Sequence, residues 1–504
     1  MKKQNFSAIR ERSRFKNSLL VTVSATAVIG LSACGQGSVE DFQASLEDGE
    51  SIDITLSTND DDDLVISFPD DGTGDGPDDG IDDGANATGD GAIYALTNQH
   101  DPSQQISSSE DAASEPERVN QIAAYTRASD GTLSLIDVYD TGGIGENIRN
   151  SGANPLASQD PLIVSKDQRF VFAVNAGSES ISSFIINDDY SLTPADLNVP
   201  TGGASGAQNP VSLTMFEDIL YVVNSGNFVD ENGEELDTLP ADRNRVNASV
   251  IGFRVGDDGS LTVLDGSEMA DVGANAGSIE FADSGLDLYI TERRTNNIVH
   301  IRLNENFTPI RYDNGDVRIT QIPSITEQPF GTDLYPVEGG SILLVSEGNN
   351  GAPGLSALSS YRIEENGSLT GISLSSGVEG DPLVTGHTFG CWVEFVETPN
   401  GDFAYVSNTP DGIITSYAVG DEGGLTVLES SAGSTNVEGD DAQNGVGVLD
   451  AEIVYPYLYQ VVNNDGRIAQ FEIGEDGSLT RMQEVEIVDT DLFRQGMFVG
   501  VAGF

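Results

Sequence analysis

The sequence predicts an all-β fold, a seven-bladed β-propeller, and three observations support this prediction. A tight turn, usually of the type Asp-Gly or Asn-Gly, recurs seven times between short strands, which is a strong signal for β-hairpins. An apolar strand, a polar corner and a second strand ending in Phe or Tyr precede most turns. The 504 residues include 57 glycines and no amphipathic helix of useful length. Four strands per unit, repeated seven times, are typical of a propeller.

The seven turns define the units, which are spaced by roughly 45 to 70 residues. They begin at Asp130, Asp189, Asp258, Asn306, Asn366, Glu422 and Asp476. The chain has 1 Trp and no G-H…W-D pattern, so it is not a WD40 propeller. The first unit begins with residues 93–98, which resemble the second strand of other units. Residues 497–504 are surplus to the seventh unit, so we expect them to complete the first blade and to close the ring.

The first 33 residues are predicted to be a lipoprotein signal peptide. A basic segment precedes an apolar stretch at residues 19–31, which is too short to span a membrane comfortably. Leu31-Ser32-Ala33-Cys34 resembles a bacterial lipobox, which implies lipidation of Cys34; an ordinary signal peptide with a chance Cys is the alternative. Gly35 then implies export to the outer membrane. We expect an exported lipoprotein, at the outer membrane or cell surface, that contacts the membrane through its Cys34 anchor.

Residues 34–90 are an acidic low-complexity segment with runs of Asp and Gly. Such a composition buries too little apolar surface to offset chain entropy, and like charges extend a linker. We therefore expect a disordered tether before the propeller at residues 91–504. The alternative is Ca²⁺ binding by the Asp-rich runs, although no complete EF-hand loop is present.

Charge and cysteine content exclude several functions. The chain has 82 acidic and 23 basic residues, a formal net charge of −59, which argues against nucleic acid as a partner. The acidity also fits solubility in high salt. The chain has only 2 Cys, and if Cys34 is acylated no disulfide can form within the chain. We also expect the protein to be a monomer. There is no G-x-S-x-G, H-E-x-x-H, phosphate loop or C-x-x-C.

The corner after the second strand carries the first candidate functional residues. Five units have Asn there, which suits a tight corner: Asn98, Asn175, Asn224, Asn408 and Asn463. Two neighbouring units have Glu292 and Glu347 instead. This pair predicts acid–base chemistry or a divalent cation such as Ca²⁺. The alternative is a structural ion pair of Glu292 with Arg293 or Arg294.

Histidine supplies the next candidate. The chain has 3 His, and only His387 directly precedes an inner strand, where it would face the channel mouth. A proton carrier there suits hydrolysis, and a hydrogen-bonded loop His is the alternative. His300 is expected on an outer strand face. Cys391 and Trp392 are expected to pack at a blade junction.

Residues 92–504 resemble the seven-bladed lactonase family, which includes 6-phosphogluconolactonases and carboxymuconate-lactonising enzymes. The repeat carries the resemblance, and residues 290–297 and 391–394 resemble a secreted bacterial branch. Glu292 matches a family Glu after the second strand of unit 4. Where enzymatic branches have His-Pro-His and Pro-Arg-His, this chain has Gln208-Asn209-Pro210 and Asn275-Ala276-Gly277.

The resemblance implies a lactone hydrolase, and the net charge favours a neutral lactone over an anionic one. In this hypothesis Glu292 is general base or metal ligand, Glu347 and His387 assist, and Arg293 stabilises the oxyanion. The alternative is a non-catalytic propeller that binds an envelope ligand, glycan or protein through the same face.

Overall fold

The computed structural model describes thirteen stretches of the chain: residues 40–45, 51–58, 64–67, 90–99, 119–145, 156–202, 209–228, 245–246, 248–337, 339–436, 447–462, 467–486 and 498–504. The chain divides into two compact units, Met1–Gly80 and Ile81–Phe504, each with its own sheets. The predicted signal peptide, Cys34, His100 and Asn463 lie outside the described residues.

The N-terminal unit contains a three-stranded antiparallel sheet in the order β1-β2-β3. Its strands are β1 (Glu40–Ser45), β2 (Ser51–Thr58) and β3 (Leu64–Ser67). The sequence analysis expects no regular structure here, and these strands differ from that expectation. The reason lies in β2, where Ile52, Ile54 and Leu56 alternate with polar residues at the period of a strand.

The described part of the larger unit contains seven blade sheets, and the strands of each blade follow one another from the inside of the ring outward. Blade 1 consists of β34 (Phe498–Gly503), β4 (Gly91–Thr97), β5 (Gln121–Arg127) and β6 (Leu133–Asp140). Blade 2 consists of β7 (Leu162–Val164), β8 (Phe170–Asn175), β9 (Ser180–Ile186) and β10 (Leu192–Pro200). Blade 3 consists of β11 (Pro210–Phe216), β12 (Ile219–Asn224), β15 (Ala248–Val255) and β16 (Leu261–Val263), with β17 (Met269–Gly273) also paired to β15.

The remaining blades have the same order. Blade 4 consists of β18 (Ala276–Phe281), β19 (Asp287–Glu292), β20 (Asn297–Arg302) and β21 (Ile319–Pro323). Blade 5 consists of β22 (Pro329–Val337), β23 (Gly340–Glu347), β24 (Ala357–Ile363) and β25 (Leu369–Ser373). Blade 6 consists of β26 (Gly390–Thr398), β27 (Gly401–Asn408), β28 (Ile413–Val419) and β29 (Leu425–Ser434). Blade 7 consists of β30 (Val448–Val454), β31 (Tyr457–Val462), β32 (Arg467–Ile473) and β33 (Leu479–Glu486).

Short elements complete the described part of the chain. A two-stranded ribbon outside the blades joins β13 (Asn227–Phe228) and β14 (Arg245–Val246). Three 3-10 turns follow second strands, at Ala176–Ser178, Asn349–Gly351 and Thr409–Asp411. The all-β propeller fold is therefore confirmed.

Burial across a blade follows from its position in the ring. The second strand β8 is buried at all six residues because neighbouring blades cover both of its faces. The outer strand β6, which begins at Leu133, is mostly exposed or partly exposed. This gradient explains why second strands have nearly continuous apolar runs in the sequence, whereas outer strands alternate.

The C-terminal strand closes the ring, as the sequence predicts. Strand β34 pairs antiparallel with β4, and Ala92 and Phe504 exchange two backbone hydrogen bonds of 3.1 and 3.0 Å. The Arg127 side chain donates to the Phe504 carbonyl at 3.1 Å. Each innermost strand contacts the next around the whole ring. Blade 1 is thus built from both ends of the propeller sequence.

The seven turns lie between third and fourth strands, on what we call the turn face. At each turn, a backbone carbonyl at the tip accepts a hydrogen bond from a side-chain hydroxyl of the preceding blade. The donor and acceptor pairs are Tyr459 and Gly131, Tyr94 and Tyr190, Ser183 and Gly259, Tyr221 and Phe307, Tyr289 and Gly367, Ser360 and Gly423, and Tyr405 and Gly477. We call these seven contacts the turn latches.

His300, predicted on an outer strand face, lies in the third strand of blade 4 and is buried. It is 5% exposed, stacks on Tyr289 with ring centroids 5.3 Å apart, and meets the Asp287 carboxylate at 2.7 Å. A Cβ on Gly367 would lie 2.2 Å from the His300 ring, so the turn of blade 5 covers this side chain. His300 is therefore part of the contact between blades 4 and 5.

Candidate functional site

The corners after second strands and the connections between blades share one face of the ring, because neighbouring antiparallel strands run in opposite directions. We call it the mouth face. All four predicted site residues of the propeller, Glu292, Arg293, Glu347 and His387, lie on it.

The Asn corners tie neighbouring blades together. Asn175 accepts a 2.6 Å hydrogen bond from Thr141, in the preceding connection, and donates to Ser182 on its own third strand. Asn224 accepts a 2.7 Å hydrogen bond from Thr201 in the same way. An amide suits this position because it accepts and donates at once. The structural interpretation of these residues fits the geometry.

Glu347 occupies the same position in blade 5 and is 0% exposed. Ser324 donates to its carboxylate oxygens at 3.0 and 3.1 Å, and Thr326 donates as well. Burial raises the pKa of Glu347 to about 7, against the lowering effect of these hydroxyl donors. Its contacts repeat those of the Asn corners, with hydroxyl donors supplied by the connection between blades 4 and 5.

Glu292, at the end of β19, is 1% exposed. It accepts from the backbone of Ala274 at 3.1 Å and from the hydroxyl of Thr295. Burial raises its pKa, while these donors oppose the shift. A Cβ on Gly273 would lie 1.0 Å from the Glu292 carboxylate, so this glycine leaves the space that the side chain fills. The carboxylate is enclosed by the chain's own groups.

Arg293 is 8% exposed and is directed into the protein. Its guanidinium donates to the backbone carbonyl of Asn275 at 3.2 Å, to the side chain of Asn275 at 2.9 Å and to the carbonyl of Ala276 at 3.3 Å. It also lies 5.3 Å from the ring centroid of Phe330. These contacts join the start of β18 to the start of β22.

His387 lies between a carboxylate and a hydroxyl. Its Nδ1 is 3.2 Å from Asp411 Oδ2, and its Nε2 is 3.0 Å from Ser431 Oγ. Both side chains of the His–Asp pair are partly exposed, at 19% and 34%, and Ser431 is exposed. A proton on Nδ1, directed at Asp411, leaves the Nε2 lone pair for the serine hydroxyl. We call these three residues the rim triad.

Backbone contacts fix the rim triad from three sides. The His387 amide donates to Thr385 Oγ1 at 3.1 Å, and its carbonyl accepts from Ser356 at 2.9 Å. The amide of Thr388 donates to Asp411 Oδ2 at 2.8 Å. Asp411 thus meets both the imidazole and the next amide.

Ser431 lies in an irregular part of β29. Strand pairing runs from Ile414 with Gly433 to Ser416 with Glu429, so three residues of β29 face one residue of β28. Such a bulge redirects side chains and is common beside functional sites. Here it presents Ser431 to the imidazole.

Residues 156–160 cover the centre of the mouth face. Ser158 donates to the Val211 carbonyl at 2.7 Å and accepts from the Trp392 indole at 2.7 Å. The Gln159 amide donates to Gly277 at 3.1 Å. The segment therefore joins the innermost strands of blades 3, 4 and 6, and we call it the plug.

The side chain of Gln159 anchors the plug across the ring axis. It is 2% exposed and donates to Thr332 and Val393 carbonyls at 2.9 and 3.0 Å. It also accepts from the Val393 amide at 3.2 Å. A Cβ on Gly331 would lie 2.0 Å from Gln159 Oε1, so glycine is required for this approach. The centre of the mouth, which His387 was predicted to face, is filled by the chain itself.

Six carboxyl groups lie near the ring axis. Asp160 is the last residue of the plug, and the other five lie in innermost strands: Glu280, Asp333, Glu394, Asp450 and Glu452. We call all six the axial carboxyls. Burial and mutual repulsion raise the pKa of Asp160 to about 8, and burial raises that of Asp333 to about 7. Burial, reinforced by Asp160, raises the pKa of Glu452 to about 8.

Several axial carboxyls also connect innermost strands. Asp333 accepts from the Phe395 amide of the next blade at 2.6 Å, and Glu452 accepts from Gly503 at 3.1 Å. Asp450 accepts from Val501 at 3.2 Å. Innermost strands of neighbouring blades do not pair as a sheet, so side chains take up their amides. This gives the carboxyls a structural role.

The structure offers no preformed metal centre in the part of the chain that it describes, since no three His, Cys, Asp or Glu side chains there are arranged to hold an ion. The carboxylates of Glu292 and Glu347, predicted as Ca²⁺ ligands, are each occupied by donors from their own corner. Cys391, which is 3% exposed, has its thiol pKa raised to about 12 by burial, as expected for a packing residue.

Several solved structures are similar to this chain at low sequence identity. No protein-family model matches the chain, and no curated protein matches it. A candidate 6-phosphogluconolactonase from Bacteroides uniformis is similar at 16% identity and a TM-score of 0.49, covering 82% of this chain and 99% of its own. A periplasmic gluconolactonase from Pseudomonas aeruginosa is similar at 15% identity and a TM-score of 0.46, covering 82% and 99%.

A functionally unknown protein from Desulfotomaculum acetoxidans is also similar, at 10% identity and a TM-score of 0.49, covering 76% of this chain and 95% of its own. The propeller itself is established by the seven blade sheets of the described residues. Within the described residues, no helix has the length and apolar character needed to cross a bilayer.

Proposed function

We propose that the protein is a hydrolase for neutral lactones that acts at the rim of blade 6. The position of His387 between Asp411 and Ser431 carries this proposal. It combines a base, a group that orients the base, and exposure to solvent. The net charge of −59 supports a neutral substrate, because the protein's field repels anions.

In the proposed reaction His387 Nε2 takes a proton from the attacking oxygen while Asp411 holds the Nδ1 proton and the ring orientation. The same nitrogen then returns the proton to the departing ring oxygen of the lactone. The product is the open-chain hydroxy acid. An imidazole nitrogen can both accept and donate a proton, which suits both steps.

The proposal gives Glu292, Glu347 and Arg293 positioning roles instead of contact with substrate. Their exposed fractions of 1%, 0% and 8% leave little surface for a ligand. They hold the corners of blades 4 and 5, and the connection leading to His387 contacts blade 5 through the backbone of Ser356. A Ca²⁺ requirement stays a prediction, which activity measurements with and without EDTA can test.

We further propose that the protein is exported and is attached to the outer membrane or cell surface through lipidated Cys34. The basic segment, the apolar stretch and the lipobox-like Leu31-Ser32-Ala33-Cys34 support this address. The net charge fits an extracytoplasmic protein that does not contact anionic lipid through basic patches. Mass spectrometry of the N-terminal peptide from membranes tests it.

Activity of the full chain on γ-butyrolactone and δ-valerolactone tests the enzymatic proposal. We expect His387→Gln to lower kcat/KM by about 10²- to 10⁴-fold, the usual contribution of a general base. Asp411→Asn should lower kcat more than it raises KM. Unchanged hydrolysis by His387→Gln, or no hydrolysis of any neutral lactone by the wild type, contradicts the proposal.

The second candidate function is a non-catalytic propeller that binds an envelope ligand. The plug favours it, because residues 156–160 fill the central mouth where propeller sites usually lie. In that case the rim triad is only a hydrogen-bonded surface cluster. Absence of turnover together with retained binding to isolated envelope material would favour this candidate.

A further inference from the structure

We propose that Ser431 is the nucleophile of this site and that the reaction passes through an acyl-enzyme. The inference rests on the proposed hydrolase function and adds a residue and an intermediate to it. The order of atoms is Asp411 Oδ2, His387 Nδ1, His387 Nε2 and Ser431 Oγ, with distances of 3.2 and 3.0 Å at the two contacts. Carboxylate, imidazole and hydroxyl in this order form the arrangement that activates serine.

Accessibility distinguishes Ser431 from three hydroxyls that hold corner side chains on this face. Thr141, Thr201 and Ser356 are buried and donate to corner side chains of the next blade. Ser431 is exposed and faces the imidazole nitrogen that is left free to accept its proton. A lactone can therefore reach its oxygen from solvent.

The bulge in β29 gives Ser431 its direction. In a regular strand, a residue at this position would pair with β28, and its side chain would alternate with its neighbours between the two faces of the sheet. Here the flanking Ser430 carbonyl instead accepts the Thr415 hydroxyl at 2.8 Å, which holds the irregular backbone in place. The nucleophile is thus positioned by strand irregularity and not by a G-x-S-x-G turn, which the sequence lacks.

The steps balance without a further reactant. Ser431 Oγ attacks the carbonyl carbon, its proton moves to His387 Nε2, and the bond between that carbon and the ring oxygen breaks as the ring oxygen takes the proton. The result is a hydroxyacyl ester of Ser431. Water then attacks the ester, its proton passes through His387 back to Ser431, and the hydroxy acid leaves.

An acyl-enzyme widens the substrate class from lactones to small neutral open-chain esters, because the leaving alcohol need not stay attached. It also predicts a burst with p-nitrophenyl acetate, in which about one p-nitrophenolate per protein is released before steady state. The acetyl group should be found on the peptide that contains Ser431.

The test uses the full chain with p-nitrophenyl acetate, an alkyl fluorophosphonate and the neutral lactones. We expect covalent labelling of Ser431 in the wild type and in Ser430→Ala, the matched control, since Ser430 is a neighbouring exposed serine of the same bulge. Ser431→Ala and His387→Gln should lose the label and about 10²- to 10⁴-fold in turnover while keeping the wild-type melting temperature.

Each other outcome is decisive. Lactone hydrolysis that persists in Ser431→Ala without an adduct overturns the nucleophile and leaves the proposed function intact, with water attacking directly. A burst with the ester but no reaction with any lactone supports the nucleophile and overturns the lactone as substrate. No reaction with any of the three probes overturns both. Loss of folding in Ser431→Ala is checked with Ser431→Cys, which should retain the fold and be acylated.

Discussion

The turn face and the mouth face of the same ring are built on different principles. On the turn face, one contact recurs seven times, a hydroxyl of one blade to the turn of the next. On the mouth face, hydroxyl contacts to the corners also recur, but the plug joins several blades across the ring axis and the rim triad lies at blade 6. Repetition maintains the ring, while the irregular face has room for a site.

The largest effect we expect comes from the strand that closes both faces. Deleting residues 495–504 removes β34 and leaves blade 1 without its innermost strand. The loss in the free energy of unfolding should exceed the total of about 5–15 kcal/mol that is usual for a domain, so we expect the propeller not to fold. Deleting residues 35–85 should leave the propeller folded. Circular dichroism and urea unfolding compare the two. A cooperative wild-type-like transition in the 495–504 deletion would disprove the closure argument.

The pH dependence of stability should report on the axial carboxyls. Their folded-state pKa is raised, to about 8 for Asp160 and Glu452, whereas unfolded carboxyls titrate near 4. Their stabilising contribution is therefore complete below about pH 4 and is lost as pH rises to about 8. Each such carboxyl contributes a slope of up to about 1.4 kcal/mol per pH unit.

Urea unfolding between pH 4 and pH 8 measures this slope. Glu452→Gln should flatten it while keeping the acceptor for Gly503, and the exposed Glu475→Gln is the control. A free energy of unfolding that rises across this range in the wild type, or a Glu452→Gln variant with an unchanged slope, would contradict the raised pKa values.

The smallest expected effects on stability come from single substitutions, one on the turn face and one on the mouth face. Tyr405→Phe removes one turn latch to Gly477 and should cost about 0.5–1.5 kcal/mol. Gln159→Ala leaves buried groups of Thr332 and Val393 unpaired and opens a cavity, so it should cost about 2–4 kcal/mol. Urea unfolding of both variants checks the order. Equal costs would show that the plug contributes no more than a turn latch.

The fold could be predicted from sequence because its signals are local. Turn residues, period-two strands and the missing innermost strand of unit 1 each lie within a short window. The small N-terminal sheet was missed because the Asp-rich runs of residues 34–90 outweighed the alternation in β2.

The candidate site was only partly predictable. The sequence points to His387, but Asp411 lies 24 residues away in a 3-10 turn and Ser431 lies 44 residues away in β29, so no motif joins them. Glu292 and Glu347 occupy the same corner position in their blades as the Asn residues do in the others. That shared position is a signal for a structural role.

The axial carboxyls had a signal that could have been used. Glu280, Glu394 and Glu452 are each flanked by apolar residues in an innermost strand and pair with the latch tyrosine of the second strand. A single acid at the same place in several repeats indicates a position facing the axis.

The pairing of β34 with β4 also limits how fast this protein can fold. Arg127 and Phe504, which meet in blade 1, are 377 residues apart in the chain. Contacts of such long range form late, because chain entropy opposes the meeting of distant segments. Until β34 is synthesised and pairs with β4, the edge of β4 is open to pairing with other chains. The protein is therefore most vulnerable to aggregation during its synthesis.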